Sequence, residues 1–187
     1  MSAFTFIPPT IQDAGQILDW RAAPRVADFM STEVTFDMNA QIQWIKAAEE
    51  RTDYFHWFIC LGERKIGLIN ICGFDPERHE TSWGFYIGEE EFIGLGGLVP
   101  PFLYNFLFFD LKIGLVRAEV LEGNEQLLSL HKLHGYQNTY DSTVKKNGRE
   151  IKTYNLVLAR ASWMEKKRFH RYRALFPMKS VSPVIFG

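Results

Sequence analysis

The chain has 187 residues, enough for one domain with a sizeable core, and 47% hydrophobic against 23% charged residues excludes intrinsic disorder. A formal net charge of −1 gives no electrostatic case for a nucleic-acid partner. The balance is uneven, because residues 163–187 hold six Lys or Arg against one Glu, a run that suits a solvated helix face.

Taken in chain order, Met1 to Thr10 lacks the charged start and long apolar stretch of a signal peptide. "FTFI" reads as a first strand, stopped by Pro8-Pro9. Thr10, with Asp13 three residues on, caps a helix whose apolar face is Ile11, Ala14, Ile17 and Leu18. A second helix is expected over 38–50, entered by "DMN". "YFHWFICL" and "KIGLINICGF", joined by "GER", read as a hairpin, and "ETSWGFYIG" as a further strand. Cys60 and Cys72 sit inside these apolar runs with no metal-binding spacing, so they read as small core hydrophobes and no metal is expected. His56, beside Trp57, reads as a structural strand residue.

"EEEFIGLGGLVP" then places Gly94, Gly96 and Gly97 between a strand and the helical run "FLYNFLFFDLK". Amides at a helix N-terminus lack internal partners, and glycines let a phosphate approach them without a Cβ in the way. Pro100 and Pro101 suit a first helical turn, so the spacing predicts a helix beginning near Gly96 or Gly97. The longest apolar neighbourhood, Leu98 to Leu111, is too short to span a bilayer, and a cytoplasmic protein is expected.

"GLVRAEVL" reads as a buried strand, and "NEQLLSLHKLHGY" as a helix ended by Gly135. The next segment is strand, turn at Asn147-Gly148, and strand. The tail from Ala161 to Phe176 reads as a basic helix. These elements predict an α/β (α+β) domain over residues 1–160, with a mixed, mostly antiparallel sheet flanked by helices and a basic C-terminal segment over 161–187.

The stretch "AEVLEGNEQLLSLHKLHGY" makes the reading specific. Asn124, Leu127, Leu130, His131, Gly135 and Tyr136 follow a pattern similar to the one closing the core of the GNAT-superfamily N-acetyltransferases. Gly94 and Gly96 match that superfamily's coenzyme-A loop, although Glu91 stands where Gln or Arg is usual. Trp20-Arg21, Val26 and Met30 resemble the opening of the subgroup of ribosomal-protein and nucleotide-sugar N-acetyltransferases. The resemblance spans roughly residues 4–158. It implies direct attack of an amine on acetyl-CoA, with the pantetheine arm along Trp83–Gly88 (Phe85, Tyr86 and Ile87 among its contacts). It also implies diphosphate-facing amides from Gly94, Leu95, Gly96 and Gly97, and coenzyme contacts from Asn124 and Lys132. Glu119 holds the position of the base. His131 holds that of the group protonating the departing thiolate, and its ordinary pKa of about 6.5 allows a proton relay near neutrality.

Two competing structural readings stay open. Glu119 shares a strand face with Arg117 and could form an ion pair with it, and His131 could be a hydrogen-bonded helix histidine. For the acceptor, "WRAAPRVADFMST" is expected to line the pocket. Arg21 and Arg25 would contact phosphate and Phe29 and Met30 would pack on a sugar or base. A nucleotide-linked amino sugar is the expected acceptor. A protein N-terminus is the alternative, as is a non-catalytic coenzyme-A-binding domain, and a homodimer is compatible with all three.

Overall fold

The structure, a computed structural model, describes residues 4–32 and 35–178. Phe4–Ile7 forms β1, in which Phe4 and Phe6 turn into the core while Thr5 and Ile7 face water. The expected capping box is present: Asp13 Oδ2 accepts from the Thr10 amide at 2.8 Å and from its hydroxyl at 3.0 Å. It opens a short 3-10 turn, Ile11–Asp13, that runs into α1, Ala14–Ala22. Pro24 cannot continue that helix and instead starts a further turn, α2, Pro24–Ala27. Helix α3, Met38–Glu50, begins where Asp37 Oδ1 accepts from the Ala40 amide at 3.1 Å.

The strands are β2 (Tyr54–Leu61), β3 (Arg64–Asp75), β4 (Glu80–Ile87), β5 (Leu115–Leu121), β6 (Gln137–Lys146) and β7 (Arg149–Ala159). Together with β1 they form one seven-stranded sheet in the order β1-β2-β3-β4-β5-β7-β6. Only the β4–β5 pair is parallel, so the expected mixed, mostly antiparallel sheet is observed. The β6–β7 turn uses Asn147 (φ 49°) and Gly148 (φ 72°), the left-handed pair that a two-residue hairpin requires.

Helices cover both faces. On one, α4 (Pro100–Asn105) and α5 (Glu125–His134) bury Leu103, Tyr104 and His131 against Trp83, Val116 and Val120. On the other, α1 and α3 press Ala14, Ile17 and Ile45 onto Phe58 and Leu68. Gly135 ends α5 at φ 100°, as expected. Among the described residues no single helix is long and apolar enough to cross a membrane.

The C-terminal segment departs from the expected helix. It is helical only at Arg160–Met164 (α6) and in a 3-10 turn at Lys167–Phe169, then runs without regular structure to Met178. Buried side chains capture the carbonyls that a helix would have used. Asn105 Nδ2 donates to Phe169 O at 2.9 Å and Tyr172 O at 2.6 Å, and Trp57 Nε1 donates to Pro177 O at 2.7 Å. Phe176 is buried and stacks on Phe6, centroids 4.0 Å apart, so the segment is a strap across the core. Residues 179–187 of the basic tail lie outside the described residues.

Candidate active site

Strands β4 and β5 are in register only at Glu80↔Leu115, Thr81↔Val116 and Ser82↔Arg117. Beyond Ser82 they diverge, while β4 stays paired with β3 through Gly67↔Ile87. The β5-side edge of Trp83–Ile87 therefore has no strand partner among the described residues. An open strand edge accepts an extended ligand carrying amides of its own. Alternation sends Trp83, Phe85 and Ile87 to the α4 face and Ser82, Gly84 and Tyr86 to the α1/α3 face.

The glycine segment lies at the α4 side of this opening. Contrary to expectation, the α-helix begins at Pro100, and Glu90–Leu98 is wound as a 3-10 helix. The prolines set that start, because their missing N–H costs nothing in a first turn. Gly94, Leu95, Gly96 and Gly97 thus precede α4 by a full tight turn, and their amides are not those of its first turn. Nothing internal demands glycine there. A Cβ at Gly94 would meet no atom within 4 Å, at Gly96 it would sit 3.4 Å from Ile87 Cγ1, and at Gly97 3.8 Å from Leu130. That open space beside the free edge of β4 fits a ligand pressed against backbone, as coenzyme A would require. Glu91 is exposed and salt-bridged to Arg64, which also lies 3.3 Å from Glu89 and 4.9 Å from the Phe92 ring. Its charge is matched on the protein. Asn124 caps α5, its Oδ1 accepting from the Leu127 amide at 3.2 Å, and Lys132 is exposed on that helix.

Glu119 and His131 flank the opening from opposite faces of the sheet. Glu119 is exposed, where a buried carboxylate had been expected; strand alternation in β5 buries Val116, Ala118 and Val120 and turns Arg117 and Glu119 outward. The Arg117–Glu119 ion pair does not form, since Arg117 instead meets Glu80 Oε2 at 2.8 Å. His131 is buried against Tyr136 (4.5 Å between centroids) and Trp83 (5.8 Å), and its Nδ1 has no partner. Burial, aided by neighbouring His134, pulls its pKa down to about 3. This corrects the expected relay: the ring stays neutral at working pH and can at most offer an N–H.

On the α1/α3 face the expected acceptor residues separate. Arg25 donates to the Gly88 carbonyl at the end of β4, which holds α2 against the sheet. Gly88 itself must lack a side chain, because a Cβ there would collide with the Trp20 indole. Lys146, at the tip of β6, donates to Ala27 O at 2.6 Å and Asp28 O at 2.8 Å, closing α2 from the other side. Phe29 is exposed and Met30 half-buried beyond that clamp. Arg21 does reach inward: its guanidinium lies 5.8 Å from the Trp44 ring and Nη2 bonds Thr32 Oγ1 at 3.3 Å.

Arg21 meets residues the sequence did not single out as acceptor contacts. Trp44 packs on His56 at 5.1 Å and Tyr54 at 5.8 Å, and Tyr86 turns to this face, 6.4 Å from Trp20. Only the register His56↔Asn70↔Gly84 brings them together, and that pairing is not readable from local pattern. Among the described residues no His, Cys, Asp and Glu cluster could hold a metal ion.

The family description "Acetyltransferase (GNAT) domain" matches residues 4–137. Acetyltransferase PseH of Campylobacter jejuni is 22% identical over 120 residues, covering 64% of this chain and 74% of that protein. Among solved structures, spermidine N-acetyltransferase from Vibrio cholerae in complex with CoA and spermine superposes with a TM-score of 0.77 at 13% identity. The match covers 87% of this chain and 98% of the other. A T. thermophilus protein described as an acetyltransferase gives 0.73 at 18% identity, over 90% and 93% of the two chains. With a diverging β4–β5 pair, a glycine segment beside it and a family match across most of its length, this chain belongs to the GNAT acetyltransferases and is an acyltransferase that uses acetyl-CoA.

Proposed function

We propose that the protein transfers acetyl from acetyl-CoA to the primary amine of a nucleotide-linked amino sugar. The observation that carries the acetyl-transfer half is the opening between β4 and β5, flanked by Glu119 on one face and by the glycine segment on the other. Glu119, exposed on the acceptor face, takes a proton as the amine nitrogen bonds to the thioester carbon. The C–S bond then breaks, and the thiolate acquires its proton from solvent, since neutral His131 holds none to give beyond an N–H hydrogen bond. Phe85, Ile87, Asn124 and Lys132 border the coenzyme side, and Arg21 stands on the acceptor side, where a cation suits a diphosphate.

Polyamine acetylation is the second reading, on the fold likeness to the Vibrio cholerae enzyme. An acceptor wall carrying Arg21 disfavours a polycation. Thiol release from acetyl-CoA, measured with UDP- and dTDP-linked amino sugars, short free-amine peptides and spermidine, tests both. Preference for the sugars is expected. Preference for peptides or spermidine overturns the acceptor assignment, and no release with any amine, despite coenzyme A co-purifying by mass spectrometry, overturns catalysis.

A further inference from the structure

Four donors on the α1/α3 face are shielded from solvent and have no hydrogen-bond partner: Arg25 Nη1, whose guanidinium is already anchored at the Gly88 carbonyl through Nη2, and Arg21 Nε, Gln41 Nε2 and the Tyr86 hydroxyl, the three considered next. Each is an N–H or O–H donor. Buried donors without partners are rare and carry a cost of desolvation, so three on one face call for a missing acceptor. They come from α1, α3 and β4, the three elements that enclose this side of the opening. Gln41 lies one turn before Trp44–Ile45 on the inward side of α3, and Trp44 lies under Arg21. The two phenols here, Tyr54 and Tyr86, are pushed up by burial, and the Arg21 guanidinium is close enough to pull both the other way.

The floor of the site is open. Asn70 is paired on both sides, with His56 and Gly84, yet remains partly exposed, so its exposure is through the sheet face. Glu119 shares that face from β5, since Ser82 and Arg117 are register partners and alternation places Gly84, Tyr86 and Glu119 with them. Among the described residues Arg21 has no carboxylate partner, its side-chain bond going to Thr32.

We propose that Arg21, Gln41 and Tyr86 form a specificity subsite for an oxyanion, phosphate or carboxylate, carried by the acceptor amine, with Trp44 flanking the ring or chain that bears it. The subsite rests on the acetyl-transfer reading and goes beyond it by defining the acceptor as an anionic amine. The guanidinium supplies charge, while the amide and phenol supply directional donors that a polyamine could not satisfy. Trp44 and Arg21 are both half-buried side chains on this face.

The test is calorimetric titration of the full-length protein, saturated with coenzyme A, with UDP, inorganic pyrophosphate, glycine and spermidine. Anion binding is expected, at least tenfold weaker in Arg21→Gln, partly kept in Arg21→Lys, and several-fold weaker in Tyr86→Phe, which removes one oxygen and folds if Arg21→Gln does not. Spermidine binding more tightly than every anion, or anion affinity unchanged in either Arg21→Gln or Tyr86→Phe, overturns the subsite. Glycine binding without UDP or pyrophosphate supports the subsite and overturns the nucleotide-sugar assignment, so the two ideas fail separately.

Discussion

Trp163 Nε1 donates to Asn105 Oδ1 at 2.9 Å, with both residues fully buried, so that one amide holds α6 while its Nδ2 holds the strap beyond it. Replacing Asn105 with Leu leaves the Trp163 N–H and the Tyr172 carbonyl without their partner, while Phe169 O keeps its bond from the Tyr172 amide. Each such group costs ~1–3 kcal/mol, and about 3 kcal/mol in total is expected. In a domain of this size that lowers Tm by roughly 6–12 °C. Calorimetry, with limited proteolysis cutting first between 160 and 178, checks it; a Tm within a degree of wild type would show the strap is held by its aromatic packing alone.

Acid stability should depend on two histidines. His131 and His134 are buried with pKa values pulled down to about 3 and about 4, by burial in both cases. Arg168 and Lys166 add to the depression at His134. The unfolded chain takes up protons near the ordinary value of about 6.5, so native stability is full above that pH and declines as pH falls toward 4. Each histidine contributes a slope of about 1.4 kcal/mol per pH unit in that window. Urea titrations at successive pH values should show a shallower slope in His134→Gln, and an unchanged slope would mean the ring is protonated in the native state.

Glu119→Gln is expected to lower kcat by ~10²–10⁴-fold while leaving acetyl-CoA affinity nearly intact, the usual size of a general-base contribution. Glu119 is exposed, so the fold should tolerate the change. A wild-type pH–rate profile in the variant would hand the proton to water. His131→Phe should leave the shape of that profile between pH 5.5 and 8 unaltered, since the native ring does not titrate there.

At the glycines the informative substitution is Gly94→Asp. Its Cβ meets no protein atom within 4 Å, so a loss of binding cannot be blamed on packing. Acetyl-CoA affinity should fall tenfold or more, at least ~1.4 kcal/mol, from the added side chain and charge. Unchanged calorimetric affinity would remove this segment from the coenzyme site.

Local chemistry made much of this fold legible. The helix over 38–50 matches α3, and Gly135 and the Asn147-Gly148 pair adopt the left-handed conformations their positions demand. What failed was whatever depends on a distant partner. Glu119 is a different miss: it looked buried because the β5 run is rich in apolar residues, although the alternation of Val116, Ala118 and Val120 with Arg117 and Glu119 already marks the outward face. The strap looked helical because nothing near it in sequence announces that Asn105 will take its carbonyls. Tyr86, read from the motif as a coenzyme contact, turns to the other face by one step of alternation. Trp44 and Gln41 carried no motif at all.

The Lys146 bonds to Ala27 and Asp28 tie the end of α2 to a hairpin tip 118 residues from Asp28. The family match ends at residue 137, before that lysine. The set of α1 and α2 is thus fixed in part by a hairpin tip beyond that match. Where α1 and α2 line the acceptor pocket, as proposed above, a change at the β6–β7 turn is expected to alter the choice of amine more than the affinity for acetyl-CoA.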